Sequence, residues 1–394
     1  MSGPLHGIKV VDLTRVLAGP FCTMTLADLG AEIIKIEKPG SGDDSRAFGP
    51  HLKGESAYFM SINRGKKSLT LDLKSEQGRE ILLKLVEKAD VLVENFKPGV
   101  MKKLGLDYDT LKQTNPRLIY CASSGFGQTG PYSSRPAYDL IIQGMGGLMS
   151  ITGPDASQPT KVGSSIADII AGVFSAIGIL SALYSRNQTG RGQMVDIAML
   201  DCMVAILENA VARYTGSGVD PVPIGNRHPS IAPFTSVKTA DGYINIACGN
   251  DQLWAKLCEI IGHSELIAHQ HFVSNQKRCE HMPELLPILD EAMRYHSSTY
   301  WLEKLEAGQV PAGPINSISK VLADPQVLAR NMLVELTHPV AGLIKMPGSP
   351  VKLSETPAEI NVPAPVLGQH TDEILAGLGY SDQQITEFRA KAII

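Results

Sequence analysis

The chain has 394 residues, 43% of them apolar and 19% charged, with a net charge of −4. That length exceeds one ordinary core and points to two domains, and the apolar share excludes a disordered chain. Without a basic block, nucleic-acid binding is excluded as a function class.

Six cysteines (Cys22, Cys121, Cys202, Cys248, Cys258, Cys279) are scattered without C-x-x-C spacing. This argues against structural zinc and a disulfide framework and fits a reducing compartment. Residues 1–7 carry no basic-then-apolar signal, so a cytoplasmic location and no membrane partner are expected.

The first elements alternate. Ile8–Leu13 reads as a buried parallel strand, Phe21–Leu29 as a helix stopped by Gly30, and Glu32–Glu37 as a second strand. This βαβ unit has the size of a Rossmann-type half. The phosphate fingerprint is missing, because Arg15–Pro20 is not G-x-G-x-x-G, so NAD is disfavoured even though Glu37 ends the second strand. Strands at Ser68–Leu73, Asp90–Glu94 and Leu118–Ala122 and an amphipathic helix at Ser75–Lys88 continue the pattern. Alternating strands and helices predict an α/β fold with a parallel sheet, and ligands collect at the strand carboxyl ends. Polar and glycine-rich segments stand at those ends, including Asn95-Phe96-Lys97-Pro98-Gly99 and Gly125–Pro131.

Gly163–Gly172 continues apolar to Leu183 and holds one charge, Asp168. A segment apolar all round reads as a buried helix, too short for a convincing membrane span. An aspartate there needs a partner or a task. Ser165 and Asp168 stand in S-x-x-D spacing, which fits a capping box. Alternatively, Asp168 is a nucleophilic carboxylate at the positive end of its helix. Both readings stay open on the residues alone.

Pro221–Gly225 marks a boundary. Beyond it, Thr235–Thr239 and Gly242–Ala247 flank a hairpin turn, and helices are predicted at Asp251–Ile261, Met282–Tyr295 and Ser298–Glu306. Leu333–Pro365 reads as an extended return, and Gln383–Lys391 as a closing helix. The predicted division is a large domain from 1–200 and 330–394, a linker at 201–224, and a small α+β domain at 225–329. His263, His269, His271 and His281 lack metal spacing on one helix, and no metal is expected.

Taken in order, several segments resemble the family III (CaiB/BaiF type) CoA-transferases, which include formyl-CoA transferase. These are Gly7–Pro20, Ile34–Pro39, Gly42–Arg46, Asn63–Ser68, Glu94–Gly99, Gly125–Pro131 and Ala167–Gly172. The resemblance implies a Rossmann-like large domain and an interlocked homodimer. It implies that Asp168 is the catalytic carboxylate and coenzyme A the co-substrate. Val16, Leu17 and Ala18 would lie near the thiol arm, and Lys38 and Lys103 toward the phosphates. Leu71, Asp72, Leu73, Lys74, Asn95, Phe96 and Lys97 would surround the nucleotide, and Pro136, Ala137, Tyr138 and Asp139 the pantetheine. Formyl-CoA transferase has arginine where this chain has Lys38 and Lys103, so charge survives without bidentate phosphate contact.

The implied chemistry is transfer of CoA from a short acyl-CoA to a small carboxylic acid through an aspartyl–acyl anhydride and an aspartyl-CoA thioester. Positioning supplies ~7–11 kcal/mol to such a step, and water must be kept out. Ala247–Gln252 holds a single glycine where formyl-CoA transferase has a glycine run, and Leu17 replaces its glutamine. The segments Gly225–Pro229, Ala232–Phe234 and Leu367–Thr371 look more like members that pair acetyl-CoA with oxalate or succinyl-CoA with glutarate or itaconate. A dicarboxylate needs a cation for its far end. His228, Arg46 and Arg15 are the candidates, with Gly249 and Asn250 in the closing loop. The alternatives are an acyl-CoA racemase, disfavoured because Tyr138 stands where those relatives have histidine, and a non-catalytic CoA-binding regulator.

Overall fold

The computed structural model describes residues 3–394. The chain folds into two compact units. One holds the chain through Leu148, Val162–Ala212 and Pro325–Ile394, and the other Met149–Lys161 and Arg213–Asp324.

The larger unit is built on a six-stranded parallel sheet. Its strands are β1 (Lys9–Asp12), β2 (Glu32–Glu37), β3 (Lys66–Thr70), β4 (Val91–Glu94), β5 (Ile119–Ser124) and β6 (Met194–Ala198), in spatial order β3-β2-β1-β4-β5-β6. Strand order reverses between β1 and β4, and at such a switch point the loops leave in opposite directions and open a crevice. Both faces are covered, which is why these strands read as continuous apolar runs. On one face Val11, Leu13, Ile36 and Leu69 meet Ile81, Leu82 and Leu85 of the Glu76–Glu87 helix. On the other, Val10, Ile33, Val93 and Ile119 meet Cys22 and Leu26 of the Ala18–Asp28 helix and Ala176 and Ile179 of the Ile166–Thr189 helix.

The Ile166–Thr189 helix is longer than its apolar run suggested, at 24 residues, and is long and apolar enough to cross a membrane by length and composition. Its packing marks it as a core helix. Ala167, Ala171, Ser175, Ile179 and Ala182 are buried, and a left-handed Gly190 ends it. Gly172 has a structural reason to lack a side chain, since a Cβ there would stand 2.7 Å from the Ala18 carbonyl oxygen.

The smaller unit packs the antiparallel strands β7 (Phe234–Lys238), β8 (Tyr243–Ala247) and β9 (Ala312–Pro314) against helices Asp251–Ile260, Met282–Met293 and Ser298–Ala307. Trp254 and Trp301 are buried in its core.

Four expectations change. Residues 201–224, read as a linker, hold helix Asn209–Ser217 and most of helix Met199–Ala205, because Pro221 and Pro223 mark only the end of a helical stretch. Met149–Lys161 belongs to the smaller unit, although it lies far from it in sequence. β3 starts two residues early because Lys66 is buried with Asp12, so a charge hid a core position. The return after Leu333 begins as an antiparallel hairpin, Leu333–His338 with Gly342–Pro347.

Candidate active site

At the switch point the loops after β1 and β4 hold each other. Arg15 N–H donates to Asn95 Oδ1 at 2.8 Å, and Asn95 Nδ2 donates to the Arg15 carbonyl at 2.8 Å. Beside them opens a cavity of about 690 Å³, within the range of small-ligand sites. Its wall gathers Lys38, Leu71, Asp72, Leu73, Lys74 and Phe96, together with Arg15, Val100 and Leu104. Lys38 and Lys74 are exposed cations on this wall. Arg15 stands 5.3 Å from the Phe96 ring centre and 3.2 Å from Asp44. Lys97 and Lys103 are exposed and lie outside this wall.

Beyond Arg15 the chain passes through Val16, with φ 68°, before entering the Ala18–Asp28 helix. A β-branched residue in the left-handed region is rare, and such strain costs about 1–3 kcal/mol. The helix start then crosses the long helix at Gly172, one turn after Asp168.

Asp168 stands in the first turn of that long helix and is partly buried. The capping-box reading fails. Ser165 has ψ 70° and its side chain makes no cap bond. The cap comes from Asp139 instead, whose Oδ1 accepts the Ala167 N–H at 2.9 Å while Oδ2 accepts from Gln143 at 2.7 Å. Among the described residues no hydrogen bond reaches the Asp168 oxygens. Burial, then the charge of Asp139, pushes its carboxyl up to about 7. Tyr58, half-buried, is raised by burial and then by the charge of Asp168. Sequence reading missed Tyr58 and the capping role of Asp139, since only the fold brings residues 58, 139 and 168 together.

Ala137 closes on Gly125, where a Cβ would meet its side chain, and Tyr138 is 76% exposed. Arg46, expected as a substrate cation, is spent on structure. Its guanidinium binds Glu37 through Nε and Nη2, both at 2.7 Å, and stacks 3.6 Å from the Phe59 ring centre. The same pair removes Glu37 as a ribose ligand. In the smaller unit, His228 Nδ1 accepts the Ser230 N–H, and the ring lies 5.4 Å from that of Phe234. Asn250 caps the Asp251–Ile260 helix, and Gly249 faces open space. His271 and His281 each bond a different oxygen of Glu284, at 2.8 and 2.9 Å.

Comparison with known proteins gives the context for this geometry. Residues 5–371 match the model of CoA-transferase family III. The chain belongs to that family. It is 47% identical to acetyl-CoA:oxalate CoA-transferase of Acetobacter aceti, over 90% of each chain. It is 43% identical to succinate–glutarate CoA-transferase of Agrobacterium fabrum, over 95% of this chain and 96% of that one. A crystal structure of a CaiB/BaiF family protein from Brucella suis superposes with a TM-score of 0.87 at 43% identity, covering 96% of this chain and all of that one. This family III CoA-transferase is thus a transferase of sulfur-containing groups with coenzyme A as co-substrate.

Proposed function

We propose that this family III enzyme moves CoA from a short acyl-CoA, succinyl-CoA or acetyl-CoA, to a small dicarboxylic acid such as glutarate, itaconate or oxalate, with Asp168 as the acyl carrier. The observation that carries the reading is the state of Asp168. It is partly buried, has no hydrogen-bond donor, is held near pKa 7, and lies one turn from the helix start that leads back to the nucleotide-sized cavity. A carboxylate spent on structure accepts hydrogen bonds; this one is left basic and unengaged.

In this reading the nucleotide part of CoA occupies the cavity below Arg15, with Lys38 and Lys74 beside its phosphates. The pantetheine arm follows Val16–Ala18 toward Asp168. An Asp168 oxygen attacks the thioester carbon, and the C–S bond breaks to give a mixed anhydride and CoA thiolate. The thiolate attacks the aspartyl carbonyl, releasing the donor acid and leaving an aspartyl-CoA thioester. The acceptor carboxylate attacks that thioester and forms a second anhydride. The returning thiolate then takes the acceptor acyl group and frees Asp168. Every step passes through a tetrahedral oxyanion, whose donors typically contribute ~10²–10³ in rate.

The dicarboxylate acceptor rests on the named relatives. The racemase alternative gains no support, since Tyr138 is mostly exposed and stands in place of a histidine acid–base. Assembly with a second copy belongs to the proposal. Val173, Ile177 and Tyr184 on the long helix and Leu140, Ile141 and Met145 on the Asp139–Met145 helix are exposed apolar side chains. A soluble monomer rarely leaves such a face uncovered. The test is a screen of acetyl-, succinyl- and formyl-CoA against oxalate, glutarate, itaconate and other small acids, reading the CoA esters by mass. Transfer to a dicarboxylate, lost in Asp168→Ala, supports the reading. Transfer retained by Asp168→Ala rejects it.

A further inference from the structure

The Val16 loop is pinned at four successive backbone groups, and two of its anchors come from a buried ion pair. Lys35 on β2 is fully buried, as is Asp43 in the loop beyond β2. Lys35 Nζ lies 2.8 Å from Asp43 Oδ2, an ion pair rather than a well-aligned hydrogen bond. The same ammonium donates to the Thr14 carbonyl at 2.7 Å. Asp43 Oδ1 accepts the Val16 N–H at 3.1 Å, along with the Ser45 N–H and hydroxyl. Asn95 holds both backbone groups of Arg15. Thr14 C=O, Arg15 N–H, Arg15 C=O and Val16 N–H are therefore all tied. Beyond them, the peptide N–H groups of Leu17 and Ala18 have no partner among the described residues.

A fully buried lysine–aspartate pair is a costly way to hold a loop, and a valine at φ 68° does not stay there unaided. Each feature explains the other. We infer that Asp43, clamped by Lys35, is a positioning residue. It holds Val16 in the left-handed conformation and so fixes where the Leu17–Ala18 segment stands relative to Asp168 during acyl transfer. This rests on the carrier role proposed above for Asp168. Asp43 touches no reacting atom in this account and acts only through the Val16 backbone.

The test is a double-mutant cycle of Asp43→Asn and Val16→Gly. It is read as kcat and acyl-CoA KM for succinyl-CoA with glutarate, or for the fastest pair from the screen if that pair is inactive. Asp43→Asn places an amide N–H against the Lys35 ammonium and breaks the clamp, whereas glycine adopts positive φ without strain. Asp43→Asn is expected to lower kcat at least ~10-fold with KM changed less than ~3-fold. In the Val16→Gly background the same change is expected to cost much less, because no side chain resists the conformation. If Asp43→Asn does not fold, Lys35→Met with Asp43→Leu carries the same test without leaving an unpaired buried charge. Wild-type kcat on loss of the clamp, or an equal loss in both backgrounds, overturns the inference. Asp168→Ala run in parallel separates the outcomes. If it is active, the carrier reading itself has failed; if it is dead while the cycle is additive, only the role of Asp43 has.

Discussion

In the proposed mechanism, an Asp168 carboxyl pushed up to about 7 makes the rate follow a titration curve. Burial and the neighbouring Asp139 charge both disfavour ionised Asp168, so at pH 6 most of it is protonated and unable to attack. For the free enzyme, kcat/KM is expected to rise with pH through about 7 and level off above. Asp139→Asn removes the second cause and keeps an oxygen for the Ala167 cap, so the rising limb should move to lower pH; an unmoved limb would show that another group titrates. Glu94 offers a separate check on stability. Burial pushes it up to about 7 despite bonds from the Phe96 N–H and the Tyr120 hydroxyl. Its folded value lies above its ordinary one, so its stabilising contribution is complete at low pH and is lost as pH rises through 7. Glu94→Gln should therefore melt higher than wild type at pH 8, by about 1–3 kcal/mol, with the gap closing toward pH 5.

The crossing of the Ala18–Asp28 and Ile166–Thr189 helices is the element-scale feature on which the site depends. Gly172 allows it, since a methyl group there would stand 2.7 Å from the Ala18 backbone oxygen. Gly172→Ala is expected to cost about 1–3 kcal/mol of stability and to lower turnover, because the helices would be pushed apart a single turn from Asp168. Unchanged melting and turnover would show that the crossing tolerates displacement. Much of this was legible in the sequence. The β1 and β2 runs are apolar on both faces, and a lone aspartate in an oily helix advertises itself. What was hidden involves charges that pair far along the chain. Lys66 at the start of β3 finds Asp12 across 54 residues, and burial, aided by the Lys35 charge, pulls its ammonium down to about 8. Arg46 looked like a free cation until the fold placed Glu37 against it. The S-x-x-D spacing suggested a capping box, but the oxygen that accepts the free helix N–H belongs to Asp139, 28 residues upstream of Ala167.

At the scale of the whole molecule, the long helix and the Asp139–Met145 helix leave an apolar face that a single chain does not cover. Sedimentation velocity at micromolar concentration is expected to show a species of twice the 42.3 kDa chain. A stable monomer with full activity would remove the second copy from the account. The two units carry different tasks in the proposal. The larger unit holds the switch-point cavity for the coenzyme and carries Asp168 on its long helix, and the smaller unit holds its own core around Trp254 and Trp301.

The most direct test of acyl transfer through Asp168 is to incubate the enzyme with succinyl-CoA, quench with hydroxylamine or borohydride, and map the modified peptide by mass spectrometry. The account expects a hydroxamate or a reduced side chain at Asp168 and at no other carboxyl group, and none in the Asp168→Ala variant. Turnover with Asp168 unmodified under those conditions, or a trapped adduct on a different residue, would contradict it.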